Sequence, residues 1–338
     1  MKPFSGDNVR HIQRKKRVLV IHPNAGDGTS FYRAHGPFTE PTFHDWDIAL
    51  PDSSIEWYHI AACDIVFMAR PVTADHKRIA EDAKRLGKKL VVDLDDYFFG
   101  VPASNPGIGF YPQDRLVEIM AILCLADQIW VSTDYLAHLL TSKHDLPEAI
   151  VKTVPNAWND YLHDWEKPKH KDAKAFLWRG SATHDGDVYA HIEDLREVAK
   201  IYEEHKFIFL GNPPSFVFQA LDPKRILHSG RKPLPEYYSI LQKVSAQVGI
   251  VPLADNDFNR AKSNIGWIES TMAGCATVCP DFDGWPGVDY GKEMTLFEAT
   301  CLAMDSSKAC FEESYDLVQQ NYLLSKVNKQ RKRLLSEL

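Results

Sequence analysis

Residues Gly249 to Pro280 read GIVPLADNDFNRAKSNIGWIESTMAGCATVCP, and the order of their apolar and polar pieces decides the fold. Val248 to Pro252 is a short apolar run closed by proline, which marks a buried strand. A polar loop, Leu253 to Lys262, follows. From Ser263 the pattern turns helical, with Ile265, Ile268 and Met272 at i, i+3 and i+7 on one face. Ser263 is the expected N-cap. Gly274 stops the helix, and Ala276 to Cys279 reads as the next strand. Strand, polar loop, helix, strand predicts a parallel α/β sheet, with the loop outside a carboxyl end where open sheets bind ligands.

The loop's contents suit a nucleotide diphosphate. Lys262 brings a point charge to the helix start, where Ser263 and free backbone N–H groups also meet an anion. Glu269, almost two turns on, offers a carboxylate to the hydroxyls of a ribose. The competing reading is an ordinary βαβ unit with a solvated loop.

The pattern PLxDNxFNxAKSNIxxxExxMAG, Pro252 to Gly274, resembles the carboxyl-terminal donor-site motif of GT-B glycosyltransferases. It is similar to the large retaining family four, and most of all to the short type of bacteriophages and bacterial surface-polysaccharide clusters. The resemblance implies that Glu269 holds the nucleotide ribose and that Asn259, Lys262, Ser263 and Asn264 surround the donor. The family's first glutamate falls on Ala261, so its grip on the sugar is absent or passes to Asp255, Asp257 or Asn259.

Composition is globular: 338 residues, 44% hydrophobic and 25% charged, room for two ordinary domains. The net charge of −7 argues against a protein coated in positive charge. No apolar run approaches a membrane span and no secretory signal opens the chain. The six cysteines form no CxxC pairs and sit mostly in apolar segments, so free thiols in the cytoplasm are expected. Nothing in the sequence marks an oligomer interface.

Before the first strand, Val18 to His22, stands a basic cluster, Arg10, Arg14, Lys15, Lys16 and Arg17. The loop with Gly26 and Gly28 is no GxGxxG fingerprint. FYRAHGPF resembles a first-strand loop in which an arginine, here Arg33, faces the interdomain cleft; a surface ion pair is the alternative. Strands are expected at 64–68 and 89–93, with a helix at 74–86 between them. The second strand runs into Asp93-Leu94-Asp95-Asp96-Tyr97. Three carboxylates at a strand end raise each other's pKa or recruit a cation. A DxD metal site is one reading and capping by aspartates another. The resemblance instead implies that Asp95 and Asp96, with Asp93 and Tyr97 beside them, touch the acceptor or the donor sugar.

Phe98 to Gln113 is a candidate acceptor loop. VPNAWND resembles the segment that closes the amino-terminal domain. The expected domains are therefore 1–165 for the acceptor and 175–338 for the donor, with Glu166 to Lys174 as linker. In the second, Arg179-Gly180-Ser181-Ala182-Thr183-His184 makes a small-residue turn that resembles the loop approaching the donor diphosphate. His184 reads as a phosphate contact, a base, or simply a polar loop residue. The last helix is expected to return to the first domain. That would bring Lys326, Lys329, Arg331, Lys332 and Arg333 near the first basic cluster, as a face for a polyanion.

The expectation is thus an α/β, two-domain GT-B enzyme moving a hexosyl or pentosyl group from a nucleotide sugar, with retention. Lys262 and Arg179 would stabilise the leaving diphosphate without a metal or other cofactor. A hydroxymethylpyrimidine in phage DNA is the named acceptor, and a saccharide or lipid-linked sugar the alternative. An epimerase and a non-enzymatic sugar-nucleotide binding protein are the competing classes.

Overall fold

The computed structural model describes residues 14–22, 26–51, 54–162 and 168–338. Among the described residues, twelve parallel strands form two six-stranded sheets. The first holds β1 (Arg17–Ile21), β2 (Asp47–Ala49), β3 (Ile65–Ala69), β4 (Lys89–Leu94), β5 (Gln128–Val131) and β6 (Val151–Thr153), in the order β2-β1-β3-β4-β5-β6. The second holds β7 (Ala175–Arg179), β8 (Lys206–Leu210), β9 (Ile226–His228), β10 (Val248–Ile250), β11 (Ala276–Pro280) and β12 (Val288–Tyr290), ordered β12-β11-β10-β7-β8-β9. This is the α/β, GT-B architecture of two Rossmann-like units.

The alternation of side chains along each strand feeds two core layers per sheet. Leu19, Ile21, Val66, Met68, Leu90 and Val92 pack one way, onto Ile79, Ile119, Leu123 and Leu136 of helices Ala74–Arg85, Gln113–Leu125 and Asp134–His144. Val18, Val20, Ile65, Phe67, Val91 and Trp130 pack the other way, against Leu324, Val327, Leu334 and Leu335 of the last helix, Leu324–Ser336. The chain's final helix therefore lies on the first sheet, although its sequence neighbours cover the second.

Each sheet reverses its strand order once, between β1 and β3 and between β7 and β10, and open α/β sheets bind ligands outside such points. The carboxyl ends at both points face one cleft of about 850 Å³. The polar loop after β10 is not wholly irregular, since Asp257–Arg260 makes a short helix capped by the Asn256 side chain. The helix after it starts at Ile265 with Asn264, not Ser263, at the N-cap. Gly274 ends that region at φ 90°, where a side chain would be strained. After β7 the chain forms two successive helices, Asp185–Ala190 and Ile192–Ile201. The expected domain boundary near residue 165, and Arg10 of the first basic cluster, lie outside the described residues.

Candidate active site

The second-sheet wall of the cleft grows from the end of β7. Arg179 closes the strand, Gly180 and Ser181 follow, and a single turn over Ala182–His184 leads into the helix Asp185–Ala190. Beside it β8 is followed by Gly211, whose φ of 130° only glycine adopts freely, and a β-carbon there would collide with the Gly180 carbonyl. The two strand ends can therefore meet closely enough to leave a backbone floor open to a ligand.

Asp187 is the hub under this floor. It sits 3.0 Å from His184 Nδ1, accepts from Asn259 Nδ2 at 2.6 Å and from the Ala254 amide at 3.2 Å, and lies 3.8 Å from Lys262 Nζ. These donors outweigh burial and hold its carboxyl below the usual range. Burial, with Lys262 adding to it, pushes His184 down to about 4, so the imidazole is neutral at pH 7. Facing an ionised Asp187, Nδ1 carries the proton and Nε2 is an acceptor. Lys262 is lowered by burial and by Arg179, against the pull of Asp187 and Asp96, and its ammonium lies 4.7 Å from the Phe258 ring centre.

Glu269 is 2% exposed and yet borders the cleft. Arg179 Nε is 2.8 Å from its Oε2, the Tyr237 hydroxyl donates to Oε2 at 2.6 Å, and Tyr238 donates to Oε1 at 3.5 Å. Tyr32, from the first domain, also donates to Oε1. Burial and the Glu269 charge keep the Tyr32 and Tyr237 phenols far above their usual titration range, so both remain donors. Glu269 is a tied carboxylate, shared between the domains.

The opposite wall comes from the first sheet. Asp95 Oδ2 accepts from Thr29 Oγ1 at 2.7 Å and lies 3.8 Å from Arg70 Nη1. Arg70 also donates to Thr29 Oγ1 and to the Tyr111 hydroxyl, each at 2.8 Å. Its backbone sits at φ 49°, an uncommon conformation that recurs at functional sites. Burial, then Asp95, raises the Asp96 carboxyl to about 6, against Arg70 and Lys262. The two walls thus feel each other's charges.

Of the residues singled out from sequence, Arg179, Gly180, Ser181, His184, Lys262, Ser263, Glu269, Asp95 and Asp96 line this cleft. Five others do not. Arg33 is buried and grips Asp93 with two hydrogen bonds, 2.8 and 2.6 Å, while its third nitrogen, Nη1, donates to both Val154 O and Asn156 Oδ1. The cause is strand parity: Asp93 shares the face of Val91, beneath the last helix, and its side chain cannot reach the cleft. Tyr97 is buried and turned to His144, 3.0 Å away. Asn259 holds the loop through Asp187 and Ala254 O, and Asn264 donates to Gly284 O at 2.9 Å. With Asp93 on Arg33, the three aspartates do not converge as a DxD metal set. Among the described residues, no group of three or more His, Cys, Asp or Glu is placed to hold a metal.

Sequence reading passed over Thr29, Tyr32, Arg70, Tyr111 and Asp187 as site residues. Arg70 carried a signal, a cation set directly behind the buried apolar strand β3 and before a proline. The others announce themselves only once the sheet order brings their loops together.

No protein-family model and no curated protein matches the chain. Solved structures do. Sucrose-phosphate synthase from Thermosynechococcus elongatus superposes with a TM-score of 0.68 at 13% identity, over 96% of this chain and 99% of that one. HepE from Anabaena, in complex with UDP and glucose, gives 0.66 at 12% identity, over 96% and 100%. A putative UDP-N-acetylglucosamine 2-epimerase from Listeria monocytogenes gives 0.52 at 12% identity, over 96% and 98%. At these identities the likeness is one of fold, and the chain has the two-domain GT-B fold in which these sugar-nucleotide proteins are built.

Proposed function

We propose that the chain is a glycosyltransferase that moves a sugar from a nucleoside-diphosphate donor to an acceptor hydroxyl, with retention and without metal. One observation carries this reading. Arg179, the Gly180–Ser181 turn and Lys262 ring the switch point of the second sheet, directly across the cleft from Asp95 and Asp96. The diphosphate would lie on the first group and the acceptor against the second. UDP bound to HepE in the same fold supports the assignment.

In the transfer the acceptor oxygen bonds to the anomeric carbon. The bond from that carbon to the phosphate oxygen breaks, and its electron pair passes to the diphosphate. The acceptor's proton goes to the departing phosphate oxygen, on the same face. Lys262 and Arg179 meet the growing negative charge from fixed positions, so little reorganisation is needed. Glu269, released from one phenol, would take the ribose hydroxyls.

The basic clusters no longer argue for DNA as acceptor. They do approach one another, since Lys16 Nζ donates to Leu335 O at 2.7 Å. But they lie around the amino ends of β1 and β2, away from the cleft. Asp45, Asp47 and Asp64 pair with Lys332, Arg17 and Arg14, and Arg331 is fully buried. A hydroxymethylated base in DNA therefore stands behind a saccharide.

The experiment is incubation of the purified chain with a panel of nucleotide sugars and hydroxyl acceptors, following free nucleoside diphosphate and glycosylated product. The epimerase reading, which shares this fold, requires an isomerised nucleotide sugar with no acceptor consumed. A binding protein leaves the nucleotide sugar unchanged.

A further inference from the structure

We propose that the acceptor is an uncharged sugar, its ring stacked on Phe110 and its hydroxyls donating to Asp95 and Asp96. This deepens the transferase reading and rests on it.

Three features of the first-sheet wall lead here. The first is its hydrogen-bonding polarity. Asp95 and Asp96 present carboxylates, which accept hydrogen bonds and donate none while ionised. Oδ1 of Asp95 is buried and has no hydrogen-bond partner in the structure. Buried acceptors are normally satisfied, and a ligand hydroxyl would satisfy this one. The nearest cation, Arg70, already serves Thr29 and Tyr111. A phosphate or uronate brought to this wall would meet two carboxylates, and the arginine beside them is already engaged.

The second is an exposed aromatic ring, set beside two that belong to the core. Phe98 and Tyr111 stack at 4.8 Å and 11°, closing the bottom of the wall. Phe110, next to them, is 70% exposed at the mouth of the cleft. Its turn, Pro106–Phe110, is pinned by the buried Asn105 side chain, which accepts from the Gly107 amide at 2.8 Å. A ring held out to solvent on a fixed turn matches the apolar C–H face of a sugar ring.

The third is space. A cleft of about 850 Å³ is large among ligand pockets, which hold one drug-sized molecule in about 300–1,000 Å³. Donor and one acceptor ring fit together.

The test uses the full chain with the nucleotide sugar that stabilises it most. Transfer of labelled sugar is compared between p-nitrophenyl glucoside, p-nitrophenyl glucuronide and a hydroxymethylated DNA duplex. The glucoside should be used at least about tenfold better than the glucuronide, since like-charge contact costs more than the equivalent of one decade. Asp95→Asn should narrow that ratio. Phe110→Ala should raise the acceptor KM about five- to tenfold, while the thermal shift given by the nucleotide stays as in the parent. Phe110→Trp should restore the KM. Preference for the glucuronide or the DNA, or an unchanged KM in Phe110→Ala, overturns the proposal and leaves the transferase reading standing. If no nucleotide sugar shifts the melting temperature or donates, the transferase reading falls and takes this one with it.

Discussion

Replacing Glu269 by alanine should damage the fold before it informs on binding. The carboxylate is 2% exposed and is met by Arg179 at 2.8 Å, by Tyr237 at 2.6 Å and by Tyr32. Its removal leaves the half-buried Arg179 guanidinium unpaired and takes an acceptor from the Tyr32, Tyr237 and Tyr238 phenols. Breaking a buried ion pair from one side costs about 3–5 kcal/mol. At about 2–4 °C per kcal/mol for a domain of this size, the second-domain transition should fall by about 6–20 °C. The sequence alone places neither Arg179 nor the tyrosines beside Glu269, so this cost cannot be read from it. Glu269→Gln keeps the volume and one acceptor oxygen and should lose far less stability. It should weaken nucleotide binding by about 1–3 kcal/mol, the worth of hydrogen bonds to a charged acceptor. Calorimetric melting with and without UDP, followed by titration calorimetry, separates the two effects. An unchanged melting temperature in Glu269→Ala refutes the buried network. Unchanged nucleotide affinity in a folded Glu269→Gln makes the residue scaffold alone.

Lys262→Ala should lower kcat by about 10²–10³ with little change in KM, as loss of one fixed charge-stabilising group does, and wild-type activity should persist in EDTA. A rise in KM alone, or full metal-reversible loss in EDTA, contradicts this. Arg33→Ala should destabilise the first domain by about 3–5 kcal/mol through the stranded Asp93, and the double change Arg33→Met with Asp93→Leu should recover most of it. Loss of activity without loss of stability in Arg33→Ala would return it to the cleft. His184 and His76 both have pKa values lowered to about 4, chiefly by burial, so between pH 6.5 and 4 the unfolded chain binds their protons first and stability falls with acid. Asp96, raised to about 6, acts oppositely over pH 6 to 4, so these three groups together contribute a slope near one proton, about 1.4 kcal/mol per pH unit around pH 5. His184→Asn should flatten that slope, and an unaltered slope would show that His184 titrates normally.

What could be read from sequence is what lies within one βαβ unit. The 249–280 stretch gave strand, loop, helix and strand because its apolar spacing changes with its turns, and Lys262 and Glu269 sit in that local frame. The turn after β7 was legible for the same reason. Arg33 and Asp93 were misplaced because whether an acid at a strand's end points to cleft or core depends on parity and on what covers each face. Here the cover is the last helix, from the far end of the chain. The three-residue edge strands β2 and β12 were missed because so short a run has no measurable period. Tyr32 and Tyr111 reach the site from separate segments, a helical turn and the end of a loop, which only the strand order of the first sheet and the meeting of the two domains bring together.

The central claim is that the cleft between the two sheets binds a nucleotide sugar and hands its sugar to a hydroxyl. Its most direct test is thermal unfolding of the wild-type chain against a panel of nucleotide sugars, followed by chromatography of the same mixtures with a neutral glycoside added. One donor should stabilise the chain by about 2.7 kcal/mol at a hundred times its Kd. That donor should then yield free nucleoside diphosphate in step with glycosylated acceptor. A panel with no stabilising member, or a stabilising donor recovered only as its isomer, would contradict the account.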